Sequence, residues 1–166
     1  MNKAPNSTTK MTGGLGIVAL VLSAVLAIAV PLVSRWEGRE HVPYRDLVGV
    51  LTVCDGHTGP DIEMRRYTDA ECDKLLAEDL AEAQAIVHRC IKRPLQPNVE
   101  AAFVSAAFNI GPKVMCGSTL QRKANAGDVM GACAELSRWD NAGGKRVRGL
   151  TRRRAEERAI CEGGRR

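Results

Sequence analysis

Aromatic side chains are scarce in this chain, with two Phe, two Tyr and two Trp among 166 residues. A protein that reads single-stranded nucleic acid stacks bases on aromatic-rich strands, and that surface cannot be assembled here. No two cysteines are spaced C-x-x-C, and His41, His57 and His88 do not complete a zinc-binding pattern. Acidic residues are missing altogether before Glu37, and cysteine before Cys54. There is no internal repeat and no low-complexity tract, which excludes solenoids and leaves an ordinary compact domain.

What is present is divided in two. From Gly14 to Val33 every residue is apolar, glycine or proline except Ser23. At about 1.5 Å rise per residue such a helix just crosses a hydrocarbon core of about 30 Å. Lys3 and Lys10 precede it, so the positive-inside tendency keeps the N-terminus in the cytoplasm and delivers the rest outside. Residues 1–33 are therefore expected to be a signal-anchor segment, with residues 1–12 disordered, and residues 34–166 a soluble domain. Three fates are open to the segment: cleavage after the small residues Ala27-Ile28-Ala29, permanent anchoring, or later release from the bilayer. Release is favoured because Gly13, Gly14, Gly16, Ser23 and several alanines dilute the apolar surface that holds a helix in lipid.

Cys54, Cys72, Cys90, Cys116, Cys133 and Cys161 all follow the apolar run. An even number of cysteines behind an export signal reads as disulfides in an oxidising compartment. The sequence does not choose the connectivity. One arrangement compatible with the expected helices joins Cys54 to Cys72, Cys90 to Cys116 and Cys133 to Cys161. The formal charge of +5 is concentrated late, in Lys145, Arg146, Arg148, Arg152, Arg153, Arg154 and Arg158. Most of these read as a solvated helix face with a few structural pairs, not as a nucleic-acid surface.

Residues 34–68 lack helical periodicity and carry Gly38, Pro43, Gly49, Gly56, Gly59 and Pro60 between β-forming residues, which predicts a small antiparallel sheet. Thr68-Asp69-Ala70-Glu71 is a capping box that opens a helix to about Ile91. Further helices are predicted over Pro97–Asn109, Ser118–Ala126, Asp128–Leu136 and Thr151–Cys161. The fold class is α+β: a small sheet lobe and a helical lobe, joined by the long helix from Thr68, with a cleft between them.

Carboxylates are the groups to examine for acetal chemistry, since one must donate a proton and a second usually helps water. Glu37 follows the apolar run beside Trp36, and an apolar setting raises a carboxyl pKa, as a general acid requires. Asp46 comes nine residues later and Thr52 six beyond that, across a hairpin that can bring all three to one edge of the cleft. His57, after Gly56, can hold the Glu37 loop by hydrogen bonding. Singly these are weak signals, because a Glu and an Asp at such spacing are usually surface residues.

Together, WEGREHVPYRDLVGVLTVCDGHTG resembles the catalytic region of the T-even phage-type lysozymes, and is most similar to lambdoid-phage endolysins with signal-arrest-release segments. The distal stretch TLQRKANAGDVMGACAELSRWDNAGGKRVRGLTRRRAEER matches too, so the resemblance covers nearly the whole chain. It implies a muramidase that cuts the β-1,4 bond between N-acetylmuramic acid and N-acetylglucosamine in peptidoglycan. Glu37 would be the acid, and Asp46 and Thr52 would position water for inversion. His57, Phe108, Asn109, Arg138 and Trp139 are placed as substrate-cleft residues. The resemblance implies a monomer with no metal or organic cofactor, held inactive at the host inner membrane through residues 14–33 and then released to the periplasm. With no cysteine in the anchor, thiol exchange from it is not available. A lytic transglycosylase of the same bond and a non-catalytic, membrane-tethered wall-binding protein are the competing readings.

Overall fold

The computed structural model describes residues 13–46 and 49–164, with side chains from residue 24 onward. Residues 1–12, and the side chains of the expected anchor before Ala24, lie outside the described residues.

Helix α1 (Gly13–Glu37) runs through Pro31 and continues to the proposed acid itself. Residues 34–37 are therefore helical rather than part of a loop. Nothing between Pro31 and Glu37 breaks a helix, and proline costs it one backbone hydrogen bond without stopping it. The boundary expected between residues 33 and 34 falls inside this helix. Val25, Ala29, Leu32 and Val33 are buried, so the described half of the apolar run forms core rather than an appendage. Among the described residues no helix is long and apolar enough to cross a membrane.

Strands β1 (Glu40–Arg45) and β2 (Leu51–Cys54) pair antiparallel, Tyr44 opposite Thr52 and Glu40 opposite Cys54, with a bulge between. Helix α2 (Asp69–Cys90) then joins the lobes. Its start has the expected capping box, with Glu71 N donating to Thr68 Oγ1 and Thr68 N donating to Glu71 Oε2. Helix α3 (Pro97–Ile110) has proline in its first turn and is buried on all sides from Val99 to Ala107. A helix this apolar must be enclosed, and α1, α2 and α6 (Arg148–Cys161) enclose it, with Glu100 and Ser105 buried on hydrogen-bond partners. Helices α4 (Thr119–Ala126) and α5 (Val129–Glu135) complete the helical lobe.

A second hairpin lies outside the sheet expected over residues 34–68. Strands β3 (Asn141–Ala142) and β4 (Lys145–Arg146) pair antiparallel across Gly143-Gly144. Both glycines have positive φ, +57° and +76°, which a two-residue hairpin loop of this hand demands and other residues resist. Helix α6 also begins three residues before the expected Thr151, after an extended Val147.

Three disulfides join Cys54 to Cys72, Cys90 to Cys116 and Cys133 to Cys161. The first ties β2 to α2, the second ties the end of α2 to the turn after α3, and the third ties α5 to α6. Loops of these lengths, closed in the unfolded chain, are each worth about 3–4 kcal/mol. Arg39 adds an ionic link beside the first, contacting Asp55, Asp69 and Asp73. The sheet lobe has its own small core of Val53, Cys54, Tyr67 and Cys72, separate from the main one.

Candidate active site

Glu37 ends α1 at the junction of the two lobes. On the sheet side the backbone of Gly56 approaches it. A Cβ at Gly56 would lie 3.6 Å from Glu37 Oε2. That is ordinary contact, so the φ of +92°, rather than space, favours glycine there. On the helical side Arg153 Nη1 donates to Glu37 Oε1. The surroundings are thus not the apolar ones expected from the neighbouring sequence. The Trp36 indole turns away and donates to Glu156 Oε2 of α6 at 2.8 Å, while Arg35 pairs with the other oxygen.

Behind Arg153 lies a buried charged cluster. Arg153 Nε donates to Glu157 Oε1 at 3.3 Å, Arg154 Nη2 to the same oxygen at 3.0 Å, and Ser105 Oγ at 2.7 Å. Arg154 Nη2 also donates to Asn109 Oδ1 at 3.0 Å. Burial pushes the Glu157 carboxyl up, against the nearby arginines, and pushes the Arg154 guanidinium down, against Glu157. Arg153 and Arg154 are 3% and 1% exposed, which corrects the reading of the late basic run as a solvated face at these two positions. The signal was present in the sequence, because Glu157 stands four residues from Arg153 and three from Arg154, the spacing that puts side chains on one helix face.

Asp46 follows β1 and caps its turn, accepting Val50 N at 2.8 Å through Oδ1. Thr52 is buried on β2, its hydroxyl donating to Val50 O at 3.2 Å. Asp46 comes directly after β1 and Thr52 stands on β2, in the lobe whose Gly56, in the turn after β2, approaches Glu37.

His57 does not hold the Glu37 segment. Its Nδ1 lies 3.0 Å from both carboxylate oxygens of Asp79 on α2, and its Nε2 lies 3.4 Å from Asp61. Burial opposes the imidazolium, but the hydrogen bond and charge of Asp79, helped by Asp61, outweigh it and raise the His57 pKa. Burial likewise raises Asp79, against the pull of His57. The raised His57 pKa makes its contribution complete below the ordinary histidine pKa and lost as pH rises through the folded one, whereas the raised Asp79 pKa costs stability lower down, in the carboxylate range. Wild type is therefore expected to lose about 1.5–3 kcal/mol relative to Asp79→Asn between pH 6 and pH 9, the worth of one charged hydrogen bond. Denaturant unfolding of both proteins across that range measures it, and parallel curves would remove the pair from the stability account.

Two grooves carry the remaining expected cleft residues, and neither is lined by Glu37, Asp46 or Thr52. Phe108 lines the one between the lobes, with Gly56 and the carboxylates of Asp79 and Glu82. Asn109 and Trp139 line the other, with Lys113 and Arg138. Arg138 is exposed and pairs with Glu135 at 3.2 Å. Among the described residues no cluster of His, Cys, Asp or Glu could hold a metal ion.

The geometry can be set beside known proteins. The chain is 48% identical over 124 residues to an SAR-endolysin of Escherichia phage Mu, covering 75% of this chain and 72% of that one. It is 40% identical over 158 residues to an SAR-endolysin of Enterobacteria phage P21, covering 95% and 96%. Among solved structures, the muramidase domain of SpmX from Asticaccaulis excentricus superposes with a TM-score of 0.73 at 30% identity, over 80% of this chain and 93% of that one. The model of the family described as phage lysozyme matches residues 34–157, from the last turn of α1 to the buried Glu157. A carboxylate wedged between a two-stranded sheet and a helical lobe, with relatives of this kind along almost the whole length, places the chain in the phage lysozyme family.

Proposed function

We propose that the chain is a phage endolysin, a muramidase that hydrolyses the β-1,4 bond between N-acetylmuramic acid and N-acetylglucosamine of host peptidoglycan. The observation that carries this reading is the position of Glu37, with its carboxylate between Gly56 of the sheet lobe and Arg153 of the helical lobe. A glycan lying along the cleft would present its bridging oxygen there. Glu37 protonates the leaving oxygen, while Asp46 and Thr52 on the sheet hold water for attack on the opposite face of the sugar. The relatives named SAR-endolysins and the muramidase-domain neighbour support this reading.

The apolar run carries the enzyme to the host inner membrane with its N-terminus in the cytoplasm, holds it inactive there, and is later released to the periplasm. The packing of Val25, Ala29, Leu32 and Val33 into the core supports release over permanent anchoring. Those side chains cannot face lipid and helix α3 at once.

Product analysis tests the chemistry. Digestion of purified peptidoglycan is expected to give reducing muramic acid ends, formed first as the α-anomer. Anhydro-muramic ends would identify a lytic transglycosylase instead, and a β-anomer would replace inversion with a covalent intermediate.

A further inference from the structure

Asp140 stands at the foot of the β3–β4 hairpin, 4% exposed and surrounded by donors. Its Oδ2 accepts Arg146 Nε from β4 at 2.6 Å and Thr151 Oγ1 from the first turn of α6 at 2.9 Å. Its Oδ1 accepts Asn141 Nδ2 at 3.2 Å, and its carbonyl accepts Val147 N at 2.9 Å. One carboxylate thus gathers both strands of the hairpin and the helix that follows. The hydrogen bonds from Arg146 and Thr151 hold this carboxyl below the usual range.

The strand held in this way forms one side of the Trp139 groove, and Asn141 lines it. Across the groove, Asn109 is the acceptor for Arg154, whose neighbour Arg153 holds Glu37. The groove is thus linked to Glu37 through the Asn109–Arg154 bond and the adjacent Arg153 of α6. Its walls have the chemistry of a carbohydrate site: an indole and Leu150 for the apolar face of a ring, the amides of Asn109 and Asn141 for polar substituents, and Lys113 and Arg138 for a negative group. No acid lines it, whereas Asp79 and Glu82 line the groove between the lobes.

We propose that the β3–β4 hairpin is a wall of the glycan cleft. In this arrangement Asn141 hydrogen-bonds a carboxylate-bearing aminosugar stacked on Trp139, and Asp140 is the positioning residue that holds the wall in place. The proposal rests on the muramidase reading above and adds a specificity element to it.

Steady-state cleavage of purified peptidoglycan by wild type, Asn141→Ala and Asp140→Asn tests it, with thermal unfolding of each alongside. Asn141 is exposed, so its variant keeps the fold even if the Asp140 variant does not. Each substitution is expected to raise KM about five-fold with kcat within about two-fold of wild type, because a lost ground-state hydrogen bond weakens binding without touching the reacting atoms. Wild-type cleavage with KM unchanged in Asn141→Ala, or a fall in kcat alone, would overturn the hairpin's role and leave the muramidase reading standing. A wild type that leaves peptidoglycan uncut overturns both.

Discussion

Glu37→Gln is expected to abolish lysis while leaving the protein folded. A positioned general acid is worth about 10²–10⁴-fold in rate, and the amide cannot donate to a glycosidic oxygen with comparable force. The substitution keeps the shape of the side chain, and its carbonyl can still accept from Arg153. It does remove one of the two negative charges around that guanidinium, but Glu157 remains in contact. Turbidity clearing of a cell-wall suspension should therefore fall by at least about a hundred-fold, and the unfolding midpoint should move by only a few degrees. A variant that clears walls at the wild-type rate would remove Glu37 as the acid and favour a wall-binding protein. A variant that neither clears walls nor folds would require the same comparison with Glu37→Asp. That substitution keeps the charge for Arg153 but withdraws the carboxyl from the cleft.

The second large effect lies out of reach of substrate. Glu157→Ala is expected to destabilise the protein by about 3–5 kcal/mol, since it leaves buried guanidinium groups without their shared counter-charge. In a domain of this size that corresponds to a fall in midpoint of roughly 10 °C. Glu157 is completely buried, and it bonds Arg153, Arg154 and Ser105 through one oxygen. Ser105→Ala removes only one neutral donor from the same carboxylate and should cost about 1 kcal/mol. Thermal or denaturant unfolding of the two variants separates the charge effect from the hydrogen-bond effect. Equal losses would mean that the cluster is held by packing rather than by charge. Replacing all three charged residues with apolar ones of similar size is a different experiment, and such replacements are often neutral.

Local rules made much of the fold legible. The capping box at Thr68 and Glu71, the proline opening α3 and the turn residues around β1 and β2 all act over a few positions, and the sequence displays them directly. The cysteines, too, paired in an arrangement that helix placement alone made plausible. What the sequence could not show was where long-range partners meet. Glu37 and Arg153 are 116 residues apart, and no periodicity joins the end of an apolar run to a distant arginine. The apolar flank suggested a dry carboxyl, and the fold supplied a guanidinium instead. His57 shows the same limit, since its partners Asp79 and Asp61 stand on a helix and in a loop that only the tertiary fold brings to it. The β3–β4 hairpin carries only half of its signal in the sequence. Gly143-Gly144 is a strong two-residue turn signal, but strands of two residues on either side carry too little alternation to announce themselves.

On the release reading proposed above, helix α1 has to suit two solvents. In the folded enzyme Val25, Ala29, Leu32 and Val33 face protein, whereas Ala27 and Pro31, four residues apart on one side of the helix, face water. A segment written for water alone would carry charge at those two positions, and one written for lipid alone would carry leucine. The chain has an alanine and a proline there, modest apolar residues which lipid accepts and water tolerates. Drift along this helix is therefore bounded on both sides. If the segment passes through a bilayer as proposed, polar change is opposed there and bulky change in the aqueous state, so its outer face should evolve more slowly than exposure alone would allow.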